Sequence, residues 1–140
     1  MQAKKEGNLL FVKLEHNEPF FETLKKALEQ SGVTSGVIVS GVGMLTNFKL
    51  GYYSGGKYHV DEFNEPMELT SMLGNVAKAN DELVLHVHVT LANKEKKVFG
   101  GHLIDATVWN VNEILIVVLD EIKLKRKRNE ATGLLELYLE

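Results

Sequence analysis

Leu83-Val84-Leu85-His86-Val87-His88-Val89-Thr90-Leu91 alternates between apolar and polar positions with a period of two. Strand side chains point to opposite faces in turn, so Leu83, Leu85, Val87, Val89 and Leu91 share one face and belong in a core. Val84, His86, His88 and Thr90 share the other. The stretch is therefore a strand with one buried face, and His86 and His88 are neighbours on its polar side, with Cα atoms ~6–7 Å apart by strand rise.

Reading outward, turn signals bound this strand on both sides. Asn80-Asp81-Glu82 joins it to a long preceding strand over 67–78, in which Gly74 marks a bulge or kink. Asn93-Lys94-Glu95-Lys96 forms a hairpin turn into Val98-Phe99-Gly100-Gly101-His102. Further upstream, residues 8–16 read as a first strand. Asn17 or Glu18 caps a helix with Pro19 in its first turn; Phe20, Phe21, Leu24, Ala27 and Leu28 form its apolar stripe and Gly32 its left-handed end. Val37-Ile38-Val39 is a buried strand ending in a tight bend or close approach at Ser40-Gly41-Val42-Gly43, and residues 46–53 form another. Ser54-Gly55-Gly56-Lys57 turns into Tyr58-His59-Val60. The longest strand covers 113–128, and 134–139 returns against it. With no repeat, linker or composition shift, residues 1–140 read as a single domain of the α+β class: one main helix packed on a strongly bent, mostly antiparallel mixed sheet.

Composition narrows the chemistry. The 140 residues hold 16 Lys plus Arg against 19 Asp plus Glu, five His and no Cys. Without cysteine there is no disulfide, thiol nucleophile or thiolate metal site, so a transition metal must be held by imidazole and oxygen. A formal net charge of −3 excludes a globally basic nucleic-acid binder but leaves room for a local patch. No secretory signal is visible, and the longest apolar run, Ile114 to Leu119, is far below the ~20 residues of a membrane-spanning helix. A cytoplasmic protein is expected, with no membrane partner.

If the Asn93–Lys96 turn pairs its two strands, His102 returns beside His86 or His88, and Gly100-Gly101 leaves room for close approach. Three neutral imidazoles suit Zn2+, or another divalent transition metal, with a fourth position left for water. His16 and His59 stand alone among polar neighbours and read as surface residues.

The motif His86-x-His88-x-Thr90-Leu91-Ala92, a short turn, then Val98-x-Gly100-Gly101-His102-Leu103 resembles the signature of the plant and prokaryote conserved (PPC) domain, in its stand-alone prokaryotic form. Ser40-Gly41-Val42-Gly43, the Glu68-Leu69 to Gly74-Asn75 strand and Glu130-Ala131-Thr132-Gly133-Leu134 extend the likeness along nearly the whole chain. The resemblance implies a compact α/β domain forming a homotrimer, with metal, usually zinc, on the histidines matching His86, His88 and His102. Plant members carry AT-hooks and act as DNA-associated regulators; no Arg-Gly-Arg-Pro core occurs here. The fold group also resembles that of acetolactate decarboxylase and of certain zinc-dependent ester hydrolases.

Two functions follow as expectations. One is a metal-binding, DNA-associated regulatory module, with Lys125, Arg126 and Arg128 of the run Lys123–Arg128 on phosphates. The same run also fits a hairpin arm offset by Glu136 and Glu140. The other is a zinc enzyme acting on a small carbonyl, ester or carboxylate ligand. That enzyme needs an acid or base, for which Glu113 is the first candidate and Asp105 and Glu68 the others. Thr90 could hold a ligand or simply occupy a strand face. Ser40–Gly43 lacks the third glycine and following helix of a dinucleotide loop. Trp109 reads as core or subunit interface.

Overall fold

The computed structural model describes residues 1–140 as nine strands and one helix. Their order is β1 (Gln2–Glu6), β2 (Leu9–Glu15), α1 (Phe20–Gln30), β3 (Gly36–Ser54), β4 (Lys57–Phe63), β5 (Met67–Ala79), β6 (Glu82–Ala92), β7 (Val98–Val118), β8 (Leu124–Arg128) and β9 (Leu135–Leu139). The molecule is mostly β, with one mixed sheet and one short helix. No helix is long and apolar enough to cross a membrane.

Strand order along the sheet is β1-β2-β7-β3-β5-β8-β9; β4 pairs with β3, and β6 pairs with both β5 and β7. The pairs β3–β5, β5–β6, β6–β7 and β7–β3 thus close a hydrogen-bonded circuit, which is why the sheet is so strongly bent. Every pairing is antiparallel except the short parallel contact of β5 with β8 at Lys78 and Lys125. Inward residues of these strands, among them Ile38, Leu45, Phe48, Met72, Val87, Leu91 and Leu103, form one core. Burying a side chain of this size stabilises by about 1.5–3 kcal/mol. Helix α1 covers that core with Phe20, Leu24, Ala27 and Leu28, the stripe its sequence spacing predicts.

The helix begins one or two residues later than its sequence predicts. Pro19, with φ −66° and ψ 119°, is the N-cap, and its carbonyl accepts the first helical bond from Thr23. Its ring fixes φ, so it starts the helix without a side-chain cap. Asn17 instead adopts a left-handed conformation, and the Glu18 carboxylate accepts from the Glu15 N–H and the Met1 amine. Gly32, with φ +67°, ends the helix as expected.

Three strand boundaries also differ. Residues 2–6 add a first strand against β2 that their polar sequence conceals. The stretches read as two strands around Ser40–Gly43 are one continuous β3. Register shifts at Ile38/Ser40 and Gly43/Met44 bend it without ending it. The expected strand over 113–128 is broken: β7 stops at Val118 and β8 begins at Leu124. Ser35 holds that break, its carbonyl accepting from Leu119 N–H and its hydroxyl from Leu124 N–H. Beyond it β8 leaves β7 for β5 and pairs with β9.

Candidate metal centre

His88 on β6 lies directly opposite His102 on β7, and His86 lies opposite Asn75 on β5. The short Asn93–Lys97 turn sets the first pairing, with Asn93 Oδ1 accepting from the Glu95 and Lys97 N–H groups. The second depends on Gly74. A Cβ built at this position would stand 2.1 Å from the His86 carbonyl oxygen, so only glycine lets β5 come this close. Gly74 is in register with Ile38 and Val87; the bulge expected there falls instead between Leu69 and Ser71.

The strand pleat then brings three imidazoles together. His86 Nε2 and His88 Nε2 are 3.0 Å apart, and one ring nitrogen from each of His86, His88 and His102 lies within 4.8 Å of the others. His86 and His102 are partly buried and His88 is exposed. Burial, then the Arg126 charge and the other two rings, pushes His86 down from an ordinary 6.5 to about 4. Burial also lowers His102, helped by His88 and Arg126. Both rings are therefore neutral at physiological pH, the form that binds metal.

Two residues frame the cluster from other strands. Tyr58 of β4 stacks on His102 with ring centroids 4.9 Å apart. It does so in the space left by Gly51, where a Cβ would come within 2.8 Å of the Tyr58 ring. Arg126 of β8 turns inward: Nη2 donates to Asn75 Oδ1 at 2.8 Å and lies 3.3 Å from His86 Nδ1, while Nη1 donates to Leu135 O at 2.7 Å. Because guanidinium only donates, His86 Nδ1 is the acceptor in that contact. Arg126 Nε and His102 Nδ1 are buried without a hydrogen-bond partner. A cavity of about 430 Å³ opens beside the rings, its walls including Tyr58, His86, His102, Arg126, Leu135 and Glu136.

The acid or base candidates from the sequence are not in that cavity wall. Glu113 lies far along β7 from His102, opposite Lys13 and Val42, at the other end of the strand. Asp105 is exposed and accepts from the Ala106 N–H. Glu68 is exposed opposite Met44 and Ala92. Thr90 meets Thr70, their hydroxyls 2.8 Å apart. The carboxylate that does line the cavity is Glu136, which accepts from Thr132 Oγ1 at 3.2 Å. Of the basic run, Lys125 pairs with Glu140, and Lys125, Arg126, Lys127 and Arg128 border a second groove with Lys78. His16 accepts from the Asn110 N–H and meets Trp109 edge to face; His59 lies 3.2 Å from Ser54 O. Sequence reasoning passes over Tyr58, Asn75 and Glu136 as site residues. Asn75 alone left a trace, following the glycine that faces His86.

Fold and site together define a small, bent-sheet domain with a histidine cluster at the edge of a cavity. The chain belongs to the Plants and Prokaryotes Conserved (PCC) domain family, whose model matches residues 1–120. Its structure is similar to that of a Bacteroides thetaiotaomicron protein described provisionally as DNA-binding, with a TM-score of 0.90, 25% identity, and coverage of 98% of this chain and 96% of that one. A plant- and prokaryote-conserved protein of Pyrococcus horikoshii gives a TM-score of 0.84 at 30% identity, covering 94% and 92%. A metal-containing protein of Archaeoglobus fulgidus gives 0.83 at 28% identity, covering 99% of each chain. Among curated proteins, the bifunctional protein GlmU of a Synechococcus strain is 25% identical over 120 residues, 85% of this chain. The chain spans only 18% of that protein's length.

Proposed function

We propose that this chain is a metal-dependent ligand-binding protein, in which His86, His88 and His102 hold a divalent transition metal, zinc being the best fit. The observation that carries this reading is the convergence of three imidazole nitrogens within 4.8 Å at the edge of a cavity. The donor set suits zinc, and the buried His102 Nδ1, with no hydrogen-bond partner in the protein, fits a ligand position. The metal-containing Archaeoglobus relative supports it. Bound there, zinc supplies a Lewis-acid position, since three protein ligands leave its usual fourth place to a non-protein atom.

The chain's own residues do the rest. Tyr58 fixes the His102 ring by stacking, Asn75 holds Arg126, and Arg126 orients His86. Residues 1–140 act as one domain in a homotrimer. The strip Leu9, Phe11, Val37 and Val39 is exposed on the face away from the core, with Leu9 and Val37 both opposite Val117, and it is the surface such an assembly would cover.

The reading is tested by metal content per protomer in purified protein and in the His86→Ala, His88→Ala and His102→Ala variants. One ion per chain, lost in each variant while the melting profile survives, is the expected outcome. Protein that neither carries nor takes up zinc overturns it.

A second reading is contact with DNA backbone through the groove where Lys78 at the end of β5 meets Lys125, Arg126, Lys127 and Arg128. The provisional DNA-binding description of the Bacteroides relative also favours it. Arg126 borders this groove as well as the histidine cavity.

A further inference from the structure

Arg126 is a cation without a counter-ion. The five ion pairs of the molecule leave it out, although it is half-buried and its Nε–H has no partner. Its contacts, Asn75 Oδ1, Leu135 O and His86 Nδ1, are all neutral. Withdrawing a charge from water is costly unless an opposite charge meets it. Glu136 borders the same cavity, but its carboxylate is engaged by Thr132 and lies outside ion-pair distance of Arg126. Loading a divalent ion on the histidines adds positive charge to the same wall.

The remaining walls are largely apolar, with Val84, Leu85, Leu134 and Leu135 beside the Tyr58 ring. At about 430 Å³ the cavity falls at the small end of ligand sites. Arg126, Leu134, Leu135 and Glu136 lie beyond residue 120, outside the segment matched by the family model, so the β8–β9 hairpin adds this half of the cavity to the histidine half.

We infer that the cavity takes a small organic carboxylate, its anionic group drawn to Arg126 beside the histidine cluster and its apolar part resting on Tyr58 and the leucines of the hairpin. The second anchor, the metal, rests on the reading proposed above; the Arg126 contact does not. Arg126 is accordingly the residue that selects for charge in the ligand. A carboxylate is favoured over a neutral isostere because it meets the half-buried guanidinium with an opposite charge and offers two acceptor oxygens, where an amide offers one.

The test uses two matched pairs of probes, benzoate with benzamide and butanoate with butanamide, titrated calorimetrically into zinc-treated full-length protein. The expected result is at least about a tenfold preference for the acid in one pair or both. In Arg126→Met that preference disappears, acid binding weakening by more than amide binding does. Should Arg126→Met fail to fold, the exposed Glu136→Gln decides, because removing the one negative group of the wall should tighten the acid and leave the amide alone. Equal binding of acid and amide in both pairs overturns the inference, as does a preference that survives Arg126→Met or acid binding that does not tighten in Glu136→Gln. Metal is assayed in the same preparations. Acid selectivity that depends on Arg126 in protein holding no zinc would sink the metal reading and sustain this one. Zinc-loaded protein without selectivity would do the reverse.

Discussion

His86 differs from an ordinary surface histidine through the company it keeps. With burial and the neighbouring Arg126 holding it at about 4 rather than 6.5, the folded chain refuses a proton that the unfolded chain accepts. In metal-free protein, stability therefore rises with pH across that window and is lost as pH falls through it; His102 adds to the effect with the same sign. Urea midpoints of chelator-treated protein should fall between neutral pH and about pH 4.5. The His86→Asn variant should lose less over the same interval, and an identical loss would show that the ring does not titrate differently on folding. His86 and His88 are legible in the sequence because strand side chains repeat every two residues, and His102 because a short turn fixes its partner. Tyr58 and Arg126 are not, since they reach the cluster from β4 and β8, whose neighbours in space no local pattern specifies.

Among the elements, β8 serves two surfaces. Leu124 is buried and Arg126 reaches His86, while Lys125, Lys127 and Arg128 border the groove shared with Lys78, which Arg126 also lines. What the sequence does not carry is the break before it, because Leu119–Lys123 contains neither proline nor glycine; the stop comes from Ser35 on a distant turn. On the DNA reading, the triple change Lys125→Ala, Lys127→Ala and Arg128→Ala should weaken binding to a mixed-sequence duplex and flatten its salt dependence. Arg126→Met, at a residue that borders both the groove and the histidine cavity, should weaken it less than the triple change. No retardation of the duplex by the parent protein at low salt would remove this reading.

For the whole molecule, the closed circuit of β3, β5, β6 and β7 explains both the bend and the place of the site at its rim. The period-two patterns point to the strands but not to the closure, since β7 pairs with β6 at its start and is flanked by β2 and β3 farther along. The apolar strip on β2 and β3 makes its own prediction. Light scattering should give three times the protomer mass, and Phe11→Asp with Val39→Asp should give smaller species that keep the sheet's circular dichroism. A parent protein of protomer mass would overturn the trimer. The donor triad has one further consequence, which concerns the order of events. All three histidines lie within residues 86–102, on the single hairpin of β6 and the start of β7, whereas the pairings that β3 makes with β5 and β7 need partners from farther along the chain. Hairpins of this kind form in roughly 1–10 μs, well before long-range pairings are complete. On the metal reading, an ion meets its ligands while the chain is still assembling, so it is captured during folding rather than admitted to a finished cavity. Because the unfolded chain then retains part of its grip on the ion, zinc raises the melting temperature by less than its affinity for the native protein implies.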